Sequence, residues 1–265
     1  MSSFIDDVYQ SQNRQVYSHG VKMNDGDHFN EFLSENVASR LYDETEQKEL
    51  EILLRSTNST DFIRENLIVS LTTENKKIKT IWEVGEAIAE AYLTMECTIV
   101  WPWNVNRDKR VEQASLAGAD LVGFQVEEER VTFVFGEVKT SSDQSIPPRV
   151  VYGTDGLTQQ LIKLVVDPSK IHQLIRWLFS RCKTNSLKEY YLSALKLFND
   201  CTDKAYLLYG ILVRDTEYDD RDLKVTSQKL GEVIDAPTIC HLCAIYIPCS
   251  VSDLPHRVII KGNDQ

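Results

Sequence analysis

The run VTFVFGEVKT, residues 131 to 140, constrains this chain most. Uncharged, mostly β-branched and aromatic residues lead without a break into Glu137 and Lys139, so the charges end a buried strand instead of decorating a surface one. Side chains alternate along a strand, which puts Glu137 and Lys139 on one face and turns Val138 away into packing. ADLVGF, residues 119 to 124, is a second strand-like run, and QVEEER between the two reads as a turn around Glu127 to Glu129. The two runs make a β-hairpin that brings Asp120 near Glu137, with Glu137 and Lys139 expected at its solvent-facing mouth.

The clearest helix precedes this hairpin. In IWEVGEAIAEAYLTM, residues 81 to 95, an apolar stripe recurs at helical spacing, and Glu83, Glu86 and Glu90 share one face. CTIVW, residues 97 to 101, then reads as a strand. After the hairpin, SSDQSIPPR breaks the pattern with a double proline and reads as a mobile, lid-like loop. Helical spacing returns over residues 157 to 165, 171 to 179 and 187 to 198; KAYLLYGILVRD, TICHLCAIYIP and HRVIIKG read as strands. Helix, strands, helices and strands in that order predict a mixed α/β fold.

The first 75 residues differ. An irregular, strand-like start precedes helical spacing from Asp27 to Leu41 and from Glu44 to Arg55, with a third candidate helix from Ser59 or Thr60 through Ile68. This predicts a mostly helical N-terminal region over residues 1 to 75 and a second domain over residues 76 to 265. Charge follows the same division: residues 1 to 75 carry 6 Lys/Arg against 14 Asp/Glu, net −8 of the chain's −11. Overall acidity argues against a protein whose whole surface coats DNA or an anionic membrane. Lys139 to Arg214, with 11 basic and 6 acidic residues, leaves room for a local phosphate-binding face. No apolar run is long enough to cross a bilayer, and the start carries no leader pattern, so a soluble cytoplasmic protein with no membrane partner and reduced cysteines is expected.

Asp120, Glu137 and Lys139 carry the candidate chemistry. Two clustered carboxylates repel unless a cation neutralises them, and a hard divalent ion such as Mg²⁺ or Mn²⁺ takes one or two carboxylates with phosphate oxygens and water. Asp120 and Glu137 are the expected ligands, with the Val138 carbonyl as a third. Lys139 would orient a water or offset charge on a phosphate, and Glu86 on the preceding helix could add a carboxylate. Phosphodiester hydrolysis is the chemistry this set serves. Phosphate contacts are expected from Arg107, Lys109, Arg110, Lys163, Arg176 and Lys183.

The pattern resembles the PD-(D/E)xK nuclease superfamily, whose restriction-endonuclease-like core runs helix, three strands, helix, strand and whose motif is an Asp followed after a hairpin by Glu-x-Lys. Asp120, Glu137 and Lys139 match that motif and Glu86 matches the helix glutamate of many members. Ala119 stands where the motif's name has proline. The resemblance to members related to recombination exonucleases suggests Gln160, or Gln159, as a further DNA-site residue, although the tyrosine that subgroup carries four residues on is missing. A closer resemblance is to the HamA family, nuclease subunits of Hachiman anti-phage defence systems, through GEAIAEAYL, ADLVGF, GEVKT and YGILV in this order. It implies a Mg²⁺-dependent DNase restrained and activated by a HamB-like helicase, with DNA and no small molecule as substrate. A restriction-type endonuclease and a non-catalytic nucleic-acid or partner-binding module of the same fold are the alternatives.

Other residues read as structural. CHLC, residues 240 to 243, lies within a strand that sends Cys240 and Cys243 to opposite faces, which makes core thiols of them and not zinc ligands. His172 and His241 lie in apolar segments and read as structural histidines. The tryptophans read as core or interface aromatics, with Trp103, near Arg107 and Arg110, the one that could meet nucleic acid.

Overall fold

A computed structural model describes residues 4–42, 44–56, 65, 79–104, 118–128 and 130–258. The fold is mixed α/β: seven strands form one sheet in the order β1-β2-β7-β6-β5-β4-β3. β1 (Ile5–Asn13) and β2 (Val16–Met23) form an antiparallel hairpin, and β2 continues the sheet by pairing in parallel with β7 (Ile239–Tyr246). β7, β6 (Tyr206–Arg214) and β5 (Arg130–Ser141) are parallel to one another, while β5 is antiparallel to β4 (Leu121–Glu127) and β4 to the short β3 (Ile99–Val100). The N-terminal region therefore holds a hairpin as well as helices, and the sheet runs across residue 75.

Helices cover both faces. Over one lie α1 (Asp27–Glu31), a π-helical turn (Phe32–Val37), α2 (Ala38–Leu41) and α4 (Ile81–Cys97), packing Phe29, Leu33, Val84 and Ile88 with Val134, Val138 and Ile211. Over the other lie α6 (Leu157–Val166), α7 (Pro168–Phe179), α8 (Asn185–Asp200) and α9 (Arg221–Val233), packing Leu157, Leu161 and Leu223 with Phe133, Phe135 and Leu208. α3 (Glu44–Arg55) and the one-turn α5 (Arg149–Tyr152) complete the longer connections. Among the described residues no helix is long and apolar enough to cross a membrane.

α4 starts where local chemistry says it should. The Thr80 side chain accepts from the Glu83 N–H while Glu83 Oε2 accepts from the Thr80 N–H, so two backbone donors at the helix start are satisfied reciprocally. Thr98, in the left-handed region at φ 51°, ends the helix. α4 approaches β5 closely because Gly85 has no side chain: a Cβ there would lie 1.8 Å from Thr140 Oγ1.

Three expectations are corrected. The HRVIIKG strand does not begin at His256, since a 3-10 turn (Val251–Asp253) leads into α10 (Leu254–Arg257), whose Pro255 in the first turn favours helix. The proposed CTIVW strand shrinks to two residues because α4 runs on through Cys97. The presumed lid is anchored: buried Arg214 donates through Nη2 to the carbonyls of Asp143 and Ser145, and Asp143 accepts from the N–H groups of Ser145 and Arg149. The candidate helix from residue 59 lies outside the described residues, apart from Glu65.

Candidate active site

β4 stops before β5 does. Their last ladder pair is Leu121 with Gly136, and β5 continues to Ser141 with β6 as its neighbour, Glu137 beside Gly210 and Lys139 beside Leu212. Extending the register by one position sets Asp120 across from Glu137. Here the ladder shifts: the Asp120 N–H donates to Gly136 O at 3.0 Å, and Asp120 Oδ2 accepts from the Val138 N–H at 2.9 Å. A residue's N–H and C=O point to the same side of a strand, so the Val138 carbonyl also faces the place where β4 has ended.

Glu137 and Lys139 share the face of Phe135 and α6, with Lys139 Nζ 2.6 Å from Glu137 Oε1. Lys139 is half-buried, but Glu137 is only 7% exposed, so the solvent-facing position expected for both is corrected for the glutamate. The apolar layer laid over the sheet by the following helices buries it. Burial first, then repulsion from Asp120, push the Glu137 carboxyl up to about 7, against the opposing pull of Lys139. Two carboxylates and an ammonium thus compete for one partly desolvated corner.

Glu83, Glu86 and Glu90 share a helix but not a job. Glu83 is used in the cap at the helix start. Glu86 is half-buried on the turn that passes Thr140. Glu90 is 1% exposed and ion-paired to Arg40 at 2.5 Å, and its pKa is raised by burial first and also by the Asp120 charge, with Arg40 opposing. α4 packs on the Val138 face, opposite the face that carries Phe135. Arg40 carried no signal in the sequence, because its contact with Glu90 spans 50 residues.

Among the described residues no group of three or more His, Cys, Asp or Glu is arranged to hold a metal ion. The donor set at the end of β4 is smaller: Asp120, Glu137 and the Val138 carbonyl. It fits a hard divalent cation that keeps most of its water, and the mutual repulsion that raises Glu137 is what such a cation would relieve.

The remaining described candidates lie on and after the helices that follow the hairpin. Gln159 and Gln160 are half-buried on α6, which packs against β5 and β6. Lys163 pairs with the exposed Asp155 at 3.5 Å; Arg176 on α7 and Lys183 beyond it are exposed. Arg107, Lys109 and Arg110 lie outside the described residues. Trp103 is a core aromatic, the main reading of its sequence, and not the alternative nucleic-acid contact: it is 2% exposed, its Nε1–H donates to Val122 O at 2.8 Å, and its ring meets Trp177 edge-on. Cys240 and Cys243 are buried on opposite faces, and all six cysteines are free. His241 stacks between Tyr17 and Tyr209, and burial lowers its pKa to about 4; His172 instead lies at the surface, 3.4 Å from Asp203. Compared with known proteins, the chain matches no family model and no curated sequence.

Proposed function

We propose that this chain is a cytoplasmic, divalent-cation-dependent deoxyribonuclease of the PD-(D/E)xK type, and that it acts as a HamA-like effector of anti-phage defence under the control of a HamB-like helicase. The observation that carries the nuclease reading is the corner where β4 ends, with Asp120 across from Glu137 and Lys139 paired to Glu137 on the same face. The order of α4, three antiparallel strands β3 to β5, α6 and the parallel strand β6, with α4 and α6 on opposite faces, supports the same reading. The helicase partnership rests on the sequence resemblance alone, and the acidic first 75 residues are the candidate docking surface.

In this reading Asp120 and Glu137 hold the cation and the Val138 carbonyl completes the protein's share of its ligands. When bound, Mg²⁺ or Mn²⁺ polarises the scissile phosphate and lowers the pKa of a bound water. The Val138 N–H holds the Asp120 carboxylate in place. Lys139, a movable point charge beside Glu137, offsets the negative charge that grows on the phosphate. The exposed Arg176 and Lys183, together with Lys163, supply phosphate contacts away from the reacting bond.

The test is supercoiled and linear DNA incubated with the protein and Mg²⁺, with and without a HamB-like helicase. Cleavage that needs Mg²⁺ and disappears in Glu137→Ala is expected. Equal cleavage by wild type and Glu137→Ala rejects the site.

A further inference from the structure

α7 and α8 cover the face of the sheet from which Glu137 and Lys139 project, and two hollows open along them. One, of about 290 Å³, runs between α7 and α8 and is lined by Arg176, Phe179, Tyr191 and Leu195. The other, of about 130 Å³, lies where α7 begins and α8 ends, against Tyr206 of β6 and Asp235 beyond α9, with Lys204 on its lining. His172, Phe198 and Asp203 line both, so the two meet as one groove. Their volumes bracket the roughly 150 Å³ that takes a benzene ring.

The groove is tied to the motif strand. Phe198 packs edge-on against Phe133 with ring centroids 6.1 Å apart, and Phe133 lies on the same strand face as Glu137, four residues and thus about 13 Å before it. Charge gathers on the same helices. Residues 163 to 204 hold 8 Lys/Arg against 4 Asp/Glu in a chain of net −11. Arg176, Lys183, Lys188, Lys196 and Lys204 are exposed, whereas Lys163 pairs with Asp155 and Arg181 lies over the Trp177 ring. Of the acids, Asp167 caps α7 and Asp203 pairs with His172 at 3.4 Å. Asp235 adds a carboxylate that is exposed at the rim. Phe179 is 57% exposed, with its ring 5.1 Å from that of Tyr191. An aromatic-lined groove among exposed cations is the pattern that binds single strands, because every base has a face to stack and every linkage a charge.

We infer that this groove is a single-strand site that takes two unpaired bases of DNA, one against Phe179 and the next beside Asp235. This deepens the nuclease reading by naming single-stranded DNA as the form presented to Asp120, Glu137 and Lys139, and it rests on that reading for the link to cleavage. Arg176 and Lys204, one at each hollow, meet the phosphates. The Asp235 carboxylate accepts from an exocyclic amine, which cytosine has at N4 and thymine lacks. The site therefore prefers oligo(dC) to oligo(dT), two strands alike in backbone and ring size. A paired duplex, whose bases face each other, does not enter it.

The experiment is fluorescence anisotropy on the full chain at low salt with EDTA present, so that binding is read without cleavage, using labelled oligo(dC), oligo(dT), a blunt duplex and oligo-glutamate as probes. Wild type should bind oligo(dC) more tightly than the duplex and at least about 5-fold more tightly than oligo(dT). Phe179→Leu keeps apolar packing against Tyr191 but has no flat face to stack, and should weaken both oligonucleotides by about 5- to 100-fold. Asp235→Ala should leave oligo(dT) binding as it is and remove the preference for oligo(dC). Both positions are exposed, so both variants should melt near wild type; if Phe179→Leu does not fold, Asp235→Ala alone carries the comparison. Unchanged oligo(dC) affinity in Phe179→Leu, or a duplex bound as tightly as oligo(dC), overturns the inference and leaves the corner at the end of β4 standing. Oligo-glutamate bound as tightly as oligo(dC) and released by Phe179→Leu overturns it too, since the groove then takes an acidic protein segment. Phe179-dependent binding of oligo(dC) with no Mg²⁺-dependent cleavage of it leaves the groove standing and rejects the nuclease reading instead.

Discussion

Val138 donates its backbone N–H to the Asp120 carboxylate at 2.9 Å, so a side chain closes the ladder at the point where β4 ends and β5 goes on. Asp120 therefore caps the strand end and, in the proposed function, is also a metal ligand, and substitutions can separate the roles. Asp120→Asn keeps an acceptor for the amide and should cost under about 1 kcal/mol, whereas Asp120→Ala strands it and should cost about 1–3 kcal/mol. Urea denaturation reads the difference. Both variants should lose Mg²⁺-dependent cleavage, and an active Asp120→Asn protein would refute the ligand assignment.

The raised Glu137 pKa makes a pH prediction whose sign is unusual for a carboxylate. Between its ordinary 4.5 and about 7 the folded state holds a proton that the unfolded chain has released. Stability should therefore fall as pH rises through this window, by about 2 kcal/mol from this group. Glu137→Gln should remove that part of the pH dependence, and saturating Mg²⁺ should reverse it in wild type. Denaturation midpoints at pH 5 and pH 7.5 provide the check, and identical pH slopes for wild type and Glu137→Gln would count against it.

Lys139 Nζ lies 2.6 Å from Glu137 Oε1. Lys139→Ala should push the Glu137 pKa higher still, since the opposing charge is gone, and should reduce cleavage by about 100-fold or more. Circular dichroism should show an intact fold. A carboxyl ¹³C titration of Glu137 in the variant reads the first effect, and single-turnover DNA cleavage reads the second.

Gly85 is where α4 meets the end of the motif strand. A Cβ at this position would lie 1.8 Å from Thr140 Oγ1 and 3.1 Å from Thr140 Cβ. Gly85→Ala should destabilise the protein by about 1–3 kcal/mol, because a packed core resists even one added methyl. Thr140→Ala in the same chain removes the closer of the two contacts and should recover most of the loss. Strictly additive melting shifts for the two substitutions would show that the helix gives way elsewhere.

Arg214 holds the connection that follows the motif strand. It is 1% exposed, pairs with buried Asp222 at 2.5 Å, and Asp222 accepts in turn from the Tyr246 hydroxyl at 2.9 Å. Arg214→Ala would strand a buried carboxylate and should cost about 3–5 kcal/mol. Hydrogen exchange should rise first over residues 142 to 149, whose carbonyl anchors are lost. Protection unchanged there would mean that the loop is held by other contacts.

The motif hairpin and the long helix before it could be read from local sequence because their determinants are local. Alternation within VTFVFGEVKT set the common face of Glu137 and Lys139, a short turn brought Asp120 opposite, and Thr80 with Glu83 wrote the start of α4. Alternation says which face a residue points to, but not what lies over that face. Tertiary packing decided that Glu137 is buried under the α6 layer, that β1 and β2 extend the sheet along β7, and that Arg214 fastens a loop whose prolines suggested freedom. It likewise decided that Glu90 is held by an arginine 50 residues away, which its spacing on the helix does not show. Hydrogen-bonded neighbours in a sheet and buried ion pairs join segments that are remote along the chain, and their energies appear only once those segments have excluded water together.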